Sequence, residues 1–161
     1  MIQNSSATLY ILCGYPYSGK SYFAKEIVSQ TRIELVSIDS IFNSRGFSWD
    51  DEVLPTKNEW EDIFNEAYEQ TDTALKEGKS VILDSTNHTI ESRNKLREMA
   101  NIKNVECKVI YIKTPLETIW QRLEENNLNP KRFKVSRELV RQTIEAFEEP
   151  ELDESVIIIE N

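Results

Sequence analysis

Leu9-Tyr10-Ile11-Leu12-Cys13-Gly14-Tyr15-Pro16-Tyr17-Ser18-Gly19-Lys20-Ser21 decides how the chain is read. The first five residues are an apolar run of the length of a buried strand. Gly14 to Ser21 follows the spacing G-x-x-x-x-G-K-[ST]. Beyond it, Phe23 with Ile27 and Ala24 with Val28 repeat at the four-residue step of a helix face. A strand, a glycine-bounded turn and a helix are the context in which this pattern holds a polyphosphate. Glycines let the turn tighten and bring several backbone N–H groups inward. The helix start adds its positive end. Lys20 has the reach for β- and γ-phosphates, and the Ser21 hydroxyl can bind Mg²⁺. Gly14, Tyr15, Pro16, Tyr17, Ser18, Gly19, Lys20, Ser21 and Tyr22 are therefore the candidate nucleotide-binding residues, with ATP and Mg²⁺ as expected cofactors.

Outward from this loop, strands and helices alternate. Leu35 to Ile38, Val81 to Leu83, Val109 to Ile112 and Val156 to Ile159 read as four further strands. Thr56 and Glu59 have the spacing of a capping box. Trp60, Ile63, Phe64, Ala67, Thr71, Ala74 and Leu75 then repeat at helical steps up to Gly78. A helix from about Thr89 to Ala100 turns Ile90, Leu96 and Ala100 inward. Thr114-Pro115-Leu116-Glu117 starts another, with Leu116, Ile119, Trp120 and Leu123 as its buried face. Ser136 caps a last one, carrying Leu139, Val140, Ile144 and Phe147. Residues 40 to 55, with Gly46, Trp49 and Pro55, lack periodicity and read as a long loop. Apolar strands separated by helix-length connections predict a parallel sheet covered on both faces, a three-layer α/β/α sandwich.

The 161 residues suit one domain, 1–161, with a core large enough to need no disulfide or metal. Apolar residues at 39% are too many for a disordered chain, and no apolar run reaches the roughly 18 residues of a membrane span. The start MIQNSSA lacks the features of a secretion signal, and Cys13 and Cys107 lie in apolar strands. A cytoplasmic setting with two buried thiols is the expectation. His88 is the single histidine, so a Ser-His-Asp triad is improbable and zinc spacing is missing. A formal charge of −9 argues against a protein that coats nucleic acid or anionic membrane. A monomer or homodimer is expected.

In an open α/β sheet, ligands sit beyond the carboxyl ends of the strands. Asp39 ends the second strand (VSID) and Asp84 the third (VILD), so both should face the mouth of the phosphate loop. A carboxylate near the phosphates can hold the Mg²⁺ shell, and a second can orient an acceptor hydroxyl and take its proton.

Asp84-Ser85-Thr86-Asn87, with Arg93 six residues after Asn87, resembles the D-x-T-N…R segment of a P-loop kinase group. That group includes polynucleotide 5′-hydroxyl kinases, zeta-toxin-like kinases and chloramphenicol-phosphotransferase-like kinases, small AAA-type ATP-binding kinases. The phosphate loop, the aspartate after strand two and the stretch from Ala74 to Lys79 leading into Val81-Ile82-Leu83 are similar to the same group. The resemblance implies a P-loop NTPase sheet of order 2-3-1-4-5. It also implies Asp39 as general base, Asp84 with Ser21 near Mg²⁺, and a mobile lid arginine. Asp39, Arg45, Asp84, Asn87 and Arg93 are the candidate substrate residues. Phage-type polynucleotide kinases carry an arginine three residues after the base, where this chain has Phe42; Arg45 is the nearest basic residue.

Residues 122 to 141 carry a net charge of +3, leaving −12 on the rest of the chain. A basic segment on an acidic protein is where a polyanion docks, and it falls where small P-loop kinases carry a lid, about 124–137. Arg132 and Arg137 are the candidates to neutralise a transferring phosphoryl group, with Arg122 on the nucleotide. The alternative is a solvated face paired to Glu124 and Glu125. Tyr15 and Tyr17 can stack on a base or an acceptor, or pack; Phe47, Trp49 and Trp60 can line an acceptor pocket. Phe147 and Pro150 can support the base side. The expected function is transfer of the γ-phosphate of ATP·Mg to a hydroxyl of a small-molecule or nucleoside acceptor. The alternatives are a polynucleotide 5′-hydroxyl kinase and a non-kinase ATP-binding regulatory module.

Overall fold

Strand β1 (Thr8–Cys13) lies at the centre of a five-stranded, wholly parallel sheet. The order is β2 (Glu34–Ser37), β3 (Val81–Asp84), β1, β4 (Glu106–Lys113), β5 (Val156–Glu160), the predicted 2-3-1-4-5. The computed structural model describes residues 7–48, 54–131 and 134–161. Trp49 and Arg132 lie outside them.

Strand side chains alternate between faces, and here the alternation divides the core in two. Leu9, Ile11, Cys13, Leu83, Val109 and Tyr111 point one way. They are covered by α2 (Ile38–Ser44), α3 (Lys57–Lys76) and α4 (Ile90–Ile102). Tyr10, Leu12, Ile82, Ile110 and Ile112 point the other way, onto Phe23, Ala24, Ile27 and Val28 of α1 (Lys20–Gln30). A third cluster joins α5 (Leu116–Leu128) and α6 (Arg137–Glu145) through Ile119, Leu123 and Val140. The Thr56–Glu59 capping box closes the start of α3, and Ser136 caps α6 through the Leu139 N–H. Among the described residues, no helix is long and apolar enough to cross a membrane.

The structure corrects the reading of residues 40–44, the start of the stretch read as a loop. Strand β2 stops at Ser37, whose hydroxyl accepts from the Ser40 N–H and caps α2. Ile38, Ile41 and Phe42 then fill one buried helical face, and Phe42 stacks on Trp60 at 5.5 Å between ring centroids. Asp39 thus belongs to the first turn of a helix, not to the end of a strand. Three smaller differences are burial effects. Leu116 is 43% exposed, Ile90 is half-buried, and Ile157 and Ile158 on the edge strand β5 are 44% and 51% exposed. Cys13 is buried and Cys107 half-buried, and both are free thiols.

Candidate active site

The loop between β1 and α1 is shaped by two glycines in conformations closed to other residues. At Gly14 (φ 152°) an added Cβ would come within 2.7 Å of the Ile112 carbonyl oxygen and 2.9 Å of Ser18 Oγ. Gly19 (φ 97°) is the N-cap of α1 and would meet Asn161 Nδ2 at 2.7 Å. With no side chain to cap it, the first turn of α1 keeps its N–H groups directed to the loop, the arrangement that receives phosphate. Tyr17 takes a left-handed backbone (φ 63°) although it is not glycine. Its packing on Ile119, Leu123 and Val140 offsets that strain, and its hydroxyl accepts from the Val135 N–H at 3.5 Å. Its ring therefore serves as a strut under the segment that leads into α6, not as a stacking platform.

Lys20 spans the loop. Its Nζ donates to the carbonyls of Gly14 (2.9 Å) and Tyr15 (2.6 Å) and to Ser18 Oγ (3.4 Å), and it is 7% exposed. Ser21, one residue on, lies near enough to Asp84 at the end of β3 for its hydroxyl to favour the ionised carboxylate. Burial pushes the Asp84 carboxyl above the ordinary carboxylate range. The Ser21 hydroxyl and the Lys20 charge pull it back, while the Asp39 charge pushes it up further. Two carboxylates from different elements therefore act on one mouth, beside the loop. The oxygen-only pair of Ser21 and Asp84 suits a hard cation such as Mg²⁺, which takes one or two carboxylates and leaves the rest to water and phosphate. No cluster of three or more His, Cys, Asp or Glu side chains that could hold a metal alone exists among the described residues.

Two expected substrate residues are committed elsewhere. Arg93 is fully buried: Nε and Nη2 pair with Glu154 at 2.7 and 3.1 Å, and Nη1 donates to the Asn87 carbonyl at 3.0 Å. Asn87 is buried too, at φ 43°, with Nδ2 donating to the Leu12 carbonyl at 2.7 Å. The Cys13 thiol, pushed up to about 11 by burial, stays protonated and donates to the same Asn87 carbonyl at 3.3 Å. The Gly14 N–H donates to Thr86 at 3.2 Å. The D-S-T-N…R segment thus stitches β3 and α4 to the base of the phosphate loop instead of facing an acceptor.

The remaining candidates divide by position. Arg122, a candidate for the nucleotide, donates to the Tyr17 carbonyl of the loop at 3.0 Å. Arg45 makes a bidentate pair with Glu66 at 2.9 and 2.7 Å, bracing α2 on α3 instead of entering the mouth. Arg137 lies 4.6 Å over the Trp120 ring and 3.2 Å from Glu124, on the paired face set out as the alternative. Arg141 pairs with Glu138 and Glu145. Tyr22 is 76% exposed on the outer side of α1. Tyr15 packs on Phe147 at 4.5 Å, at one wall of an open cleft of about 550 Å³ that Tyr111, Pro115, Leu116 and Glu149 also line. His88 is half-buried in the loop after β3, its carbonyl accepting from the Glu148 N–H at 2.8 Å. Two residues missed in the sequence also reach the loop. Thr114 Oγ1 and Asn161 Nδ2 both donate to the Ser18 carbonyl, at 3.1 and 2.7 Å. In the sequence Thr114 reads only as a helix start.

Residues 9–150 match the family model described as an AAA domain. The chain belongs to the AAA domain family. This AAA domain is 30% identical over 150 residues to Protein KTI12 of Saccharomyces cerevisiae, an alignment covering 88% of the chain and 46% of that protein. The chain therefore spans about half the length of that curated relative. Its fold is similar to Chaetomium thermophilum Kti12 in complex with ADP-AlF3, at TM-score 0.72 and 21% identity over 94% of this chain and 88% of that one. It is also similar to a sugar kinase from Janibacter sp. HTCC2649, at TM-score 0.70 and 18% identity, covering 96% and 85% of the two chains. The AAA domain has the fold of P-loop kinases, a nucleotide-binding architecture.

Proposed function

We propose that this AAA domain transfers the γ-phosphoryl group of ATP to a hydroxyl of a small-molecule or nucleoside acceptor. The observation that carries the reading is the grouping beside the loop: Asp84, buried at the end of β3, is acted on by the Ser21 hydroxyl, the Lys20 charge and the Asp39 charge together. A site that only held nucleotide has no need of the second carboxylate. In this reading the N–H groups from Gly14 to Ser21 orient the triphosphate, and Lys20 exchanges its loop carbonyls for phosphate oxygens. Mg²⁺, held by Ser21 and Asp84, would neutralise charge on the β- and γ-phosphates. Asp39 takes the acceptor proton as the acceptor oxygen bonds to phosphorus, while the bond from phosphorus to the β-bridging oxygen breaks and ADP leaves. Arg122, with Arg132 or Arg137 from the lid, stabilises the charge spread over the transferring oxygens. For Arg137 this requires release from Glu124.

Phe42 favours a small acceptor over a polynucleotide 5′ end. The position that carries arginine in phage-type polynucleotide kinases is here fully buried and stacked on Trp60, so no cation meets a nucleic-acid phosphate there. A net charge of −9 weighs the same way. A second reading, a nucleotide-gated module with slow hydrolysis, draws on Arg137 and Arg141 being engaged by glutamates. The test is transfer from γ-labelled ATP to nucleosides, oligonucleotide 5′ ends, sugars and aminoglycoside- or chloramphenicol-type alcohols. Labelled product from one small-acceptor class is expected; ATP binding with no acceptor-dependent ADP release anywhere in the panel refutes the transferase reading.

A further inference from the structure

Three strands of the sheet end at one peptide group. Thr114, immediately after β4, donates its hydroxyl to the Ser18 carbonyl at 3.1 Å. Asn161, immediately after β5, donates its side-chain amide to the same oxygen at 2.7 Å, and its backbone N–H donates to the Lys113 carbonyl at 3.0 Å. The Ser18 carbonyl itself belongs to the loop that follows β1. Thr114 is 3% exposed, so one of the two donors acts without competition from water.

In a planar trans peptide the C=O and the next residue's N–H point in opposite directions. A Ser18 carbonyl drawn toward Thr114 and Asn161 therefore sends the Gly19 N–H the other way, into the phosphate cradle. That orientation is not secured by the loop's own backbone. Gly19 is the residue least able to resist a flip of the 18–19 peptide, because without a Cβ both orientations are open to it. The loop needs glycine there for its turn, and glycine's freedom has to be removed from outside.

We propose that Thr114 and Asn161 are positioning residues that lock the 18–19 peptide, so that the Gly19 N–H is preset to bind phosphate. The proposal rests on the loop being a triphosphate site and is independent of what accepts the phosphoryl group. Thr114→Val removes the hydroxyl at constant shape, Thr114→Ser keeps it, and Asn161→Ala removes the second donor at an exposed position.

Tripolyphosphate and ATP binding, measured by calorimetry, should weaken roughly 3- to 10-fold in Thr114→Val and in Asn161→Ala, the range of one hydrogen bond. The double variant should lose at least the product of the two, since neither side-chain donor then remains on the Ser18 carbonyl. Thr114→Ser should stay within about twofold. In transfer assays the KM for ATP should rise by more than kcat falls. The Gly19 amide resonance should shift on tripolyphosphate addition in the parent chain and much less in the double variant. Parental tripolyphosphate affinity in the double variant overturns the proposal, as does a Thr114→Ser variant no better than Thr114→Val. Failure of the transferase reading looks different: tight triphosphate binding that depends on both residues, without acceptor-dependent ADP release.

Discussion

Arg93 on α4 and Glu154 in the turn before β5, 61 positions apart, form a two-pronged ion pair at 2.7 and 3.1 Å with both side chains almost wholly out of water. The third arm of Arg93 reaches the Asn87 carbonyl, one bond network away from the end of β1. Breaking one side strands the other charge in the core. Glu154→Gln should destabilise the fold by about 3–5 kcal/mol, and replacing both partners by Met and Leu should cost much less than the two single changes together. Urea denaturation of the three variants checks this.

The same pair gives the stability a pH dependence whose sign is fixed. Burial alone would raise the Glu154 carboxyl, but its bonds to Arg93 and to the Glu151 N–H outweigh that and hold it below its ordinary 4.5. A lowered folded value means stability that is present above the unfolded value and lost as pH falls through the folded one. Thermal midpoints of the parent chain should fall as the solution is taken below about pH 4.5, and Glu154→Gln should flatten that decline.

Lys20→Ala and Asp39→Asn should separate binding from transfer. The first removes the charge that spans the loop and should abolish measurable ATP binding. The second should keep ATP affinity within about threefold and lower transfer by 10²-fold or more, the usual loss of a general base. Unchanged turnover in Asp39→Asn would remove it from that role.

Asp84 sits at 7% exposure with its carboxyl raised by burial and by Asp39. Binding Mg²⁺ requires the ionised form, so the Mg²⁺ dependence of ATP affinity should weaken as pH falls through a range above that of an ordinary aspartate. In Asp84→Asn that Mg²⁺ dependence should be absent at every pH. Titrations of ATP at fixed Mg²⁺ across pH, in both chains, measure the effect.

Phe42→Ala should cost about 3–5 kcal/mol through the cavity left beside Trp60 and Phe47. Thr56→Ala, which opens the capping box of α3, should cost about 1 kcal/mol. Denaturant midpoints rank the two.

The sheet and the phosphate loop were legible because their signals are local and repeated: apolar runs for strands, glycine and lysine at fixed spacing for the loop. Helix α2 was not, since seven residues give one helical face a single repeat, and the buried trio Ile38, Ile41 and Phe42 was hidden behind Gly46 and Trp49. Arg93 and Asn87 were read as substrate groups because a motif shows which residues recur, not which way they point. Their partners, Glu154 and the Leu12 carbonyl, lie 61 and 75 positions away. Thr114 reads in the sequence only as a helix start, and Asn161 carries no pattern at all. They matter through one carbonyl oxygen that only the assembled sheet brings to them.

Strand β5 is one outer edge of the sheet, with Ile157 and Ile158 half open to water, yet the residue that follows it braces the centre of the molecule. Edge segments fray first and exchange their amides fastest. Binding linkage is reciprocal, so whatever steadies this margin tightens the hold on nucleotide, and nucleotide in turn slows amide exchange along Val156–Glu160. An edge strip of the domain would then act as a distant gauge of whether the loop is filled.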